Sequence, residues 1–164
     1  MGSVKVVSWL MSGIVASPFF PGRLRNVIVR KWCGGGMLGS IFPHVRIQSN
    51  KLKVGEGSYF NEDCKVYNQH GTVILGNDVA VAFGAMFVTT THDHSDSSRR
   101  VGEVSGGDIE VGDGCWIGAN AVVLPGCKIG AGTMVAAGAV VAGNLEPNCL
   151  YGGIPAKLIK RLPA

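Results

Sequence analysis

From Val111 onward an aliphatic residue recurs at every sixth position without a gap: VGDGCW, IGANAV, VLPGCK, IGAGTM, VAAGAV, VAGNLE. The leading residues are Val111, Ile117, Val123, Ile129, Val135 and Val141; the fifth positions, Cys115, Ala121, Cys127, Thr133, Ala139 and Leu145, are nearly all small. A period of six is neither the 3.6 of a helix nor the 2 of a lone strand. It predicts a flat strand of a few residues and a turn, repeated, with one large and one small side chain directed inward each time. The same phase holds upstream at Leu75, Val81 and Phe87, at Val54, Phe60 and Val66, and at Ile41 and Ile47. Register slips by one residue before Val54 and by three before Leu75. Solenoids absorb such slips locally, because each coil touches only its neighbours.

Two stretches depart from the pattern. Between Phe87 and Val111 runs VTTTHDHSDSSRRVGEVSGGDIE, too polar and too long for a simple turn, so it must leave the solenoid as a loop. At the other end, Val6 to Phe20 is an apolar run of about 15 residues, short of the roughly 20 needed to span a bilayer. With one lysine ahead of it and no small-x-small cleavage site, it reads as a capping segment rather than an export signal. PGRLRNVIVRKW then places Leu24, Val27, Ile28 and Trp32 near one helical face with arginines opposite, as in a short helix that closes the solenoid's open end and touches lipid. The expected organisation is a helical cap over residues 1–36, a β-solenoid over 37–148 with a loop excursion at about 90–108, and a tail over 149–164.

Composition agrees with one such domain: among 164 residues there are 25 glycines, 46% hydrophobic residues and only 16% charged ones, unlike a disordered chain or a helical bundle. Five cysteines with no CxxC spacing suggest neither a disulfide framework nor a zinc ribbon, and a reducing, cytoplasmic compartment fits. Cys64, Cys115 and Cys127 take the inward fifth position and read as core fillers, with Cys33 and Cys149 outside the repeat. Residues 1 to 55 hold eight lysines and arginines and no acid, a one-signed segment suited to an anionic membrane surface or an anionic acceptor. Nucleic acid is disfavoured, since the net charge is only +4 and no basic stretch is interleaved with stacking aromatics.

The candidate chemistry lies in the long loop, which carries His92 and His94. Imidazole is the side chain suited to taking a proton near neutral pH. Asp93 and Asp96 are close enough in sequence to orient it, and no Ser or Cys carries the marks of an activated nucleophile.

The hexads, the THDHS segment, VGDGCWIGANAVVLPGCKIG and the closing YGGIPAKLIKR together resemble the hexapeptide-repeat acyltransferases, most closely the galactoside, maltose and polysaccharide O-acetyltransferases. The resemblance covers nearly everything after Ile41. It implies an all-β, left-handed parallel β-helix of triangular section, assembled as a homotrimer with sites between subunits. It implies acetyl-CoA as donor, a sugar or glycan hydroxyl as acceptor, and direct transfer without an acyl-enzyme. The T-x-x-H segment matches the position of the family's base, which makes His92 the expected catalytic residue. Asn61 resembles the asparagine that binds the acceptor; Trp116, which should point outward, and Asp93 would line the acceptor site beside it. Gly118, Ala119, Ala136, Ala137 and Gly138 would keep a low wall for the pantetheine arm, and Lys157, Lys160 and Arg161 would meet phosphate. No metal is expected. The rival readings are a non-catalytic solenoid and a zinc hydratase of the γ-carbonic anhydrase type, which would need His70, His92 and His94 to converge.

Overall fold

In the computed structural model, which describes residues 10–163, the hexads form short strands stacked into three parallel sheets, one for each face of a prism. The first face holds Leu52–Val54, Val73–Leu75, Ile109–Val111 and Lys128–Ile129. The second holds Ser40–Ile41, Tyr59–Phe60, Ala80–Val81, Trp116–Ile117, Met134–Val135 and Cys149–Gly152, with Lys157–Arg161 added antiparallel at its edge. Arg46–Ile47, Lys65–Tyr67, Met86–Val88, Val122–Val123 and Val140–Val141 make the third.

The leading residues stack in register, as the phase predicts. Val54, Leu75, Val111 and Ile129 pair along the first face, and Ile47, Val66, Phe87, Val123 and Val141 along the third. Nearly all of them are buried almost completely, and the rings of Phe60 and Phe87 meet edge to face with centroids 5.6 Å apart. Corners are turned by a fourth residue with left-handed backbone, such as Asn120 at φ 56° and Gly138 at φ 69°, a conformation that favours Gly and Asn.

The fifth position does more than fill space. Ser58 Oγ donates to Gly76 O (2.7 Å), Cys64 Sγ to Ala82 O (3.1 Å), Cys115 Sγ to Gly130 O (3.1 Å) and Thr133 Oγ1 to Glu146 O (2.7 Å). Each of these hydrogen bonds ties one coil to a corner carbonyl of the next.

Leu145 does not take the fifth position that the phase suggests. It bridges to Ile129 as a leading residue, because the turn after Val141 is shorter than a regular one by two residues. Cys149 thereby becomes the fifth residue of its own hexad and is fully buried, and Tyr151 pairs with Val135. Parallel pairing therefore runs on past residue 148.

The cap also differs from the pattern read off the sequence. Met11–Val15 forms a π-helical turn and α1 spans Gly22–Trp32. Arg25 is buried, whereas Leu24 and Val27 face solvent. The reason is hydrogen bonding: the guanidinium supplies donors to the carbonyls of Val15 (2.8 Å), Ser17 (2.7 Å), Phe20 (3.0 Å) and Ile41 (3.5 Å) where chain reversal leaves them without ladder partners. The part of the expected cap before residue 10 lies outside the described residues. Among those described, no helix is long and apolar enough to cross a membrane.

Every insertion falls on one edge of the prism, between the third and first faces: after Ile47, after Val66 and after Phe87. Fully buried Asn68 organises this edge. Its Nδ2 donates to Ser49 O (3.1 Å) and Lys51 O (2.7 Å), its Oδ1 accepts from Ser49 N (2.9 Å), and its carbonyl accepts from Ser49 Oγ (2.7 Å).

Candidate active site

The long excursion is built as a ribbon. Thr90–His92 pairs antiparallel with Val104–Gly106, setting Thr90 opposite Gly106 and His92 opposite Val104. At its base the hydroxyl of Thr90 lies 3.0 Å from His70 Nδ1, so the inserted turn of the coil before steadies the ribbon. Beyond the paired residues Arg100 donates to the carbonyls of His94 (2.7 Å) and Ser95 (3.4 Å), folding the loop tip back on itself.

His92 is half-buried at the end of this ribbon, and its Nδ1 lies 3.2 Å from the carbonyl oxygen of Gly102. A carbonyl can only accept, so Nδ1 carries the hydrogen, and in the neutral ring Nε2 keeps its lone pair. This is the tautomer a general base needs. Asp93 does not orient the ring: its carboxylate accepts from the backbone N–H of Ser95 (3.0 Å) and from the Ser95 hydroxyl (3.1 Å). The same two bonds hold its carboxyl below the usual range, the backbone N–H contributing most. Asp96 closes a matching turn on Ser98. His94 is exposed, with its Nδ1 3.3 Å from the His92 carbonyl. Among the described residues no group of three His, Cys, Asp or Glu is arranged to hold a metal ion, and His70, His92 and His94 each face a different oxygen.

The remaining candidates lie on the next edge, between the second and third faces. Asn61 follows Tyr59–Phe60 there, half-buried, with Oδ1 accepting from Glu62 N (3.0 Å) and its amide nitrogen making no hydrogen bond among the described residues. Gly118, Ala119, Ala136, Ala137 and Gly138 form the same edge in the following coils. Gly118 is buried, and a Cβ there would stand 2.6 Å from both Ala137 N and Val135 O, so its bareness serves coil packing. At Gly138 a Cβ would meet nothing within 4 Å, and Ala137 is exposed. Trp116 projects from the second face, half-exposed as expected, with Ala80 and Met134 as its lateral neighbours. Lys157, Lys160 and Arg161 lie on the exposed final strand, where Arg161 pairs with Glu146 at 2.9 Å. Within one chain, His92 and Asn61 are separated by the third face.

Sequence reasoning did not find the Gly102 carbonyl, because a backbone acceptor ten residues away leaves no side-chain signature. The Thr90–His70 contact was equally hidden, since it depends on two insertions emerging at one edge.

A three-faced parallel β-helix with a histidine-bearing ribbon at one edge defines the class. The family model described as bacterial transferase hexapeptide (six repeats) matches residues 108–143. The galactoside O-acetyltransferase of Escherichia coli K12 is 27% identical over 113 residues, covering 69% of this chain and 55% of that protein. A maltose O-acetyltransferase from Clostridium difficile 630 superposes with a TM-score of 0.84 at 25% identity, over 99% of this chain and 86% of the other. A hexapeptide-repeat acetyltransferase from Vibrio cholerae O1 biovar eltor, complexed with acetyl coenzyme A, gives 0.85 at 23% identity, over 99% and 88%. The fold is the left-handed parallel β-helix, and the hexads of residues 108–143 match the bacterial transferase hexapeptide model. It spans about half the length of the curated relatives it matches.

Proposed function

We propose that this protein transfers an acetyl group from acetyl-CoA to a hydroxyl of a sugar or glycan, with His92 Nε2 as general base. The observation that supports this reading is the contact between His92 Nδ1 and the Gly102 carbonyl, which in the neutral ring places the hydrogen on Nδ1 and leaves the lone pair on Nε2. Acetyl-CoA supplies the activated acyl carbon as a thioester. Nε2 takes the acceptor's hydroxyl proton as its oxygen bonds to that carbon; the C–S bond then breaks, and the imidazolium returns the proton to the departing sulfur. Ala136, Ala137 and Gly138 offer a low wall that fits a narrow pantetheine arm, and the exposed Lys157 and Lys160 suit its phosphates. Asn61 and Trp116 bind and stack the acceptor.

Because His92 and Asn61 occupy neighbouring edges, the complete site forms where one protomer's histidine edge meets its partner's asparagine edge, in a homotrimer. The test is mass spectrometry of a panel of sugars and glycans incubated with acetyl-CoA. An acetyl ester on a hydroxyl supports the reading; acetyl found only on amines, or on none of the panel, would overturn it.

A further inference from the structure

We infer that the exposed face of α1 is a docking surface for an anionic lipid bilayer, independent of the transfer site. At about 100° per residue, the five side chains Arg23, Leu24, Val27, Arg30 and Lys31 fall within roughly a third of the helix circumference. All five are exposed, Leu24 at 48% and Val27 at 61%, while the opposite side packs Val29 and Arg25 onto the solenoid. Two apolar side chains flanked by three cations make the composition of an interfacial helix, which buries aliphatic groups at the headgroup boundary beneath its own positive charge.

Three further observations point the same way. Among the described residues no carboxylate lies within 4.0 Å of Arg23, Arg30 or Lys31, so none of the three is neutralised within the chain. The first coil adds cations of its own: Arg46 and Lys53 are exposed, and the first 55 residues hold no acid, although Asp63 of the next coil lies 3.6 Å from His44. The turn leading into α1 leaves Phe19 96% exposed, between Ser17 and Phe20, whose carbonyls Arg25 bonds.

Docking through this face would set the solenoid with its N-terminal coil against the membrane and its later coils away from it. An acceptor carried on a lipid would then reach the protein in two dimensions rather than three.

The test is co-sedimentation of the full chain with phosphatidylcholine vesicles and with vesicles of equimolar phosphatidylcholine and phosphatidylglycerol. We expect partition onto the anionic vesicles only, falling as salt rises because the screening length shortens. R23Q/R30Q/K31Q should weaken that partition roughly 100-fold, about fivefold for each cation removed, and F19S/L24S/V27S roughly tenfold or more. Circular dichroism identifies a variant that fails to fold, and the salt titration of the unaltered protein then decides alone. Salt-insensitive partition, no preference for phosphatidylglycerol, or retention of wild-type partition in the charge variant would overturn the inference. So would retention on a soluble anionic polysaccharide with no vesicle binding, or an oligomer lost in the apolar variant with no vesicle binding.

Discussion

Asn68→Leu replaces a fully buried amide by an alkyl group of similar size and leaves two backbone groups without a partner, Ser49 O and Ser49 N, while Lys51 O keeps its bond from Val73 N (3.1 Å). Each buried polar group left unpaired costs about 1–3 kcal/mol. Burying the leucine returns about 1.5–3 kcal/mol, so the net loss should be about 2 kcal/mol. For a chain of this length that corresponds to a fall of about 4–8 °C in Tm. Asn68→Asp should lose more, because an oxygen would replace the nitrogen that now donates to two carbonyls. Urea unfolding followed by circular dichroism, at one fixed protomer concentration, measures both. A loss below about 0.5 kcal/mol for Asn68→Leu, the size of an ordinary surface substitution, would refute the claim that this side chain organises the inserted edge.

Cys115→Ser should cost little stability, since Ser58 makes the equivalent bond elsewhere in the solenoid, whereas Cys115→Val should lose about 1 kcal/mol with the donor; thermal melts of the pair check this. Gly118→Ala should destabilise by about 1–3 kcal/mol, because its Cβ would collide with backbone of the next coil that cannot give way; the same melts read it. Burial pushes the thiols of Cys33 and Cys64 up to about 11 from 9.0. Both groups favour the folded state as neutral thiols, so the stability they contribute is complete below about pH 9 and is lost as pH rises towards 11. Unfolding free energies across that window should fall more steeply for the wild type than for Cys64→Ala.

The solenoid was legible because one side-chain pattern repeats at a period that only short strands and turns can satisfy, and the leading residues from Ile41 to Val141 were assigned correctly from it. The insertions were legible as breaks in phase, but not their convergence on one edge, which needs the count of three strands per coil. Arg25 and Leu24 show where periodicity misleads: helical spacing predicts which residues share a face, while unpaired carbonyls nearby decide which face is buried. The final hexads were misphased because a turn shortened at Gly143 and Asn144 carries no hydrophobic mark, and with it Cys149 was left outside the core it fills. For the site, the histidine was visible as a residue type in a polar loop. Its tautomer was not, since that depends on a backbone carbonyl brought near by strand pairing.

The most direct test of the account is the steady-state release of free CoA from acetyl-CoA in the presence of a competent sugar acceptor, comparing the wild type with His92→Ala as a folded protein of unchanged oligomeric state. Removing a general base should lower kcat/KM by about 100- to 10,000-fold, with release dependent on acceptor. Turnover retained within about threefold in His92→Ala, where a base contributes two orders of magnitude or more, would contradict it.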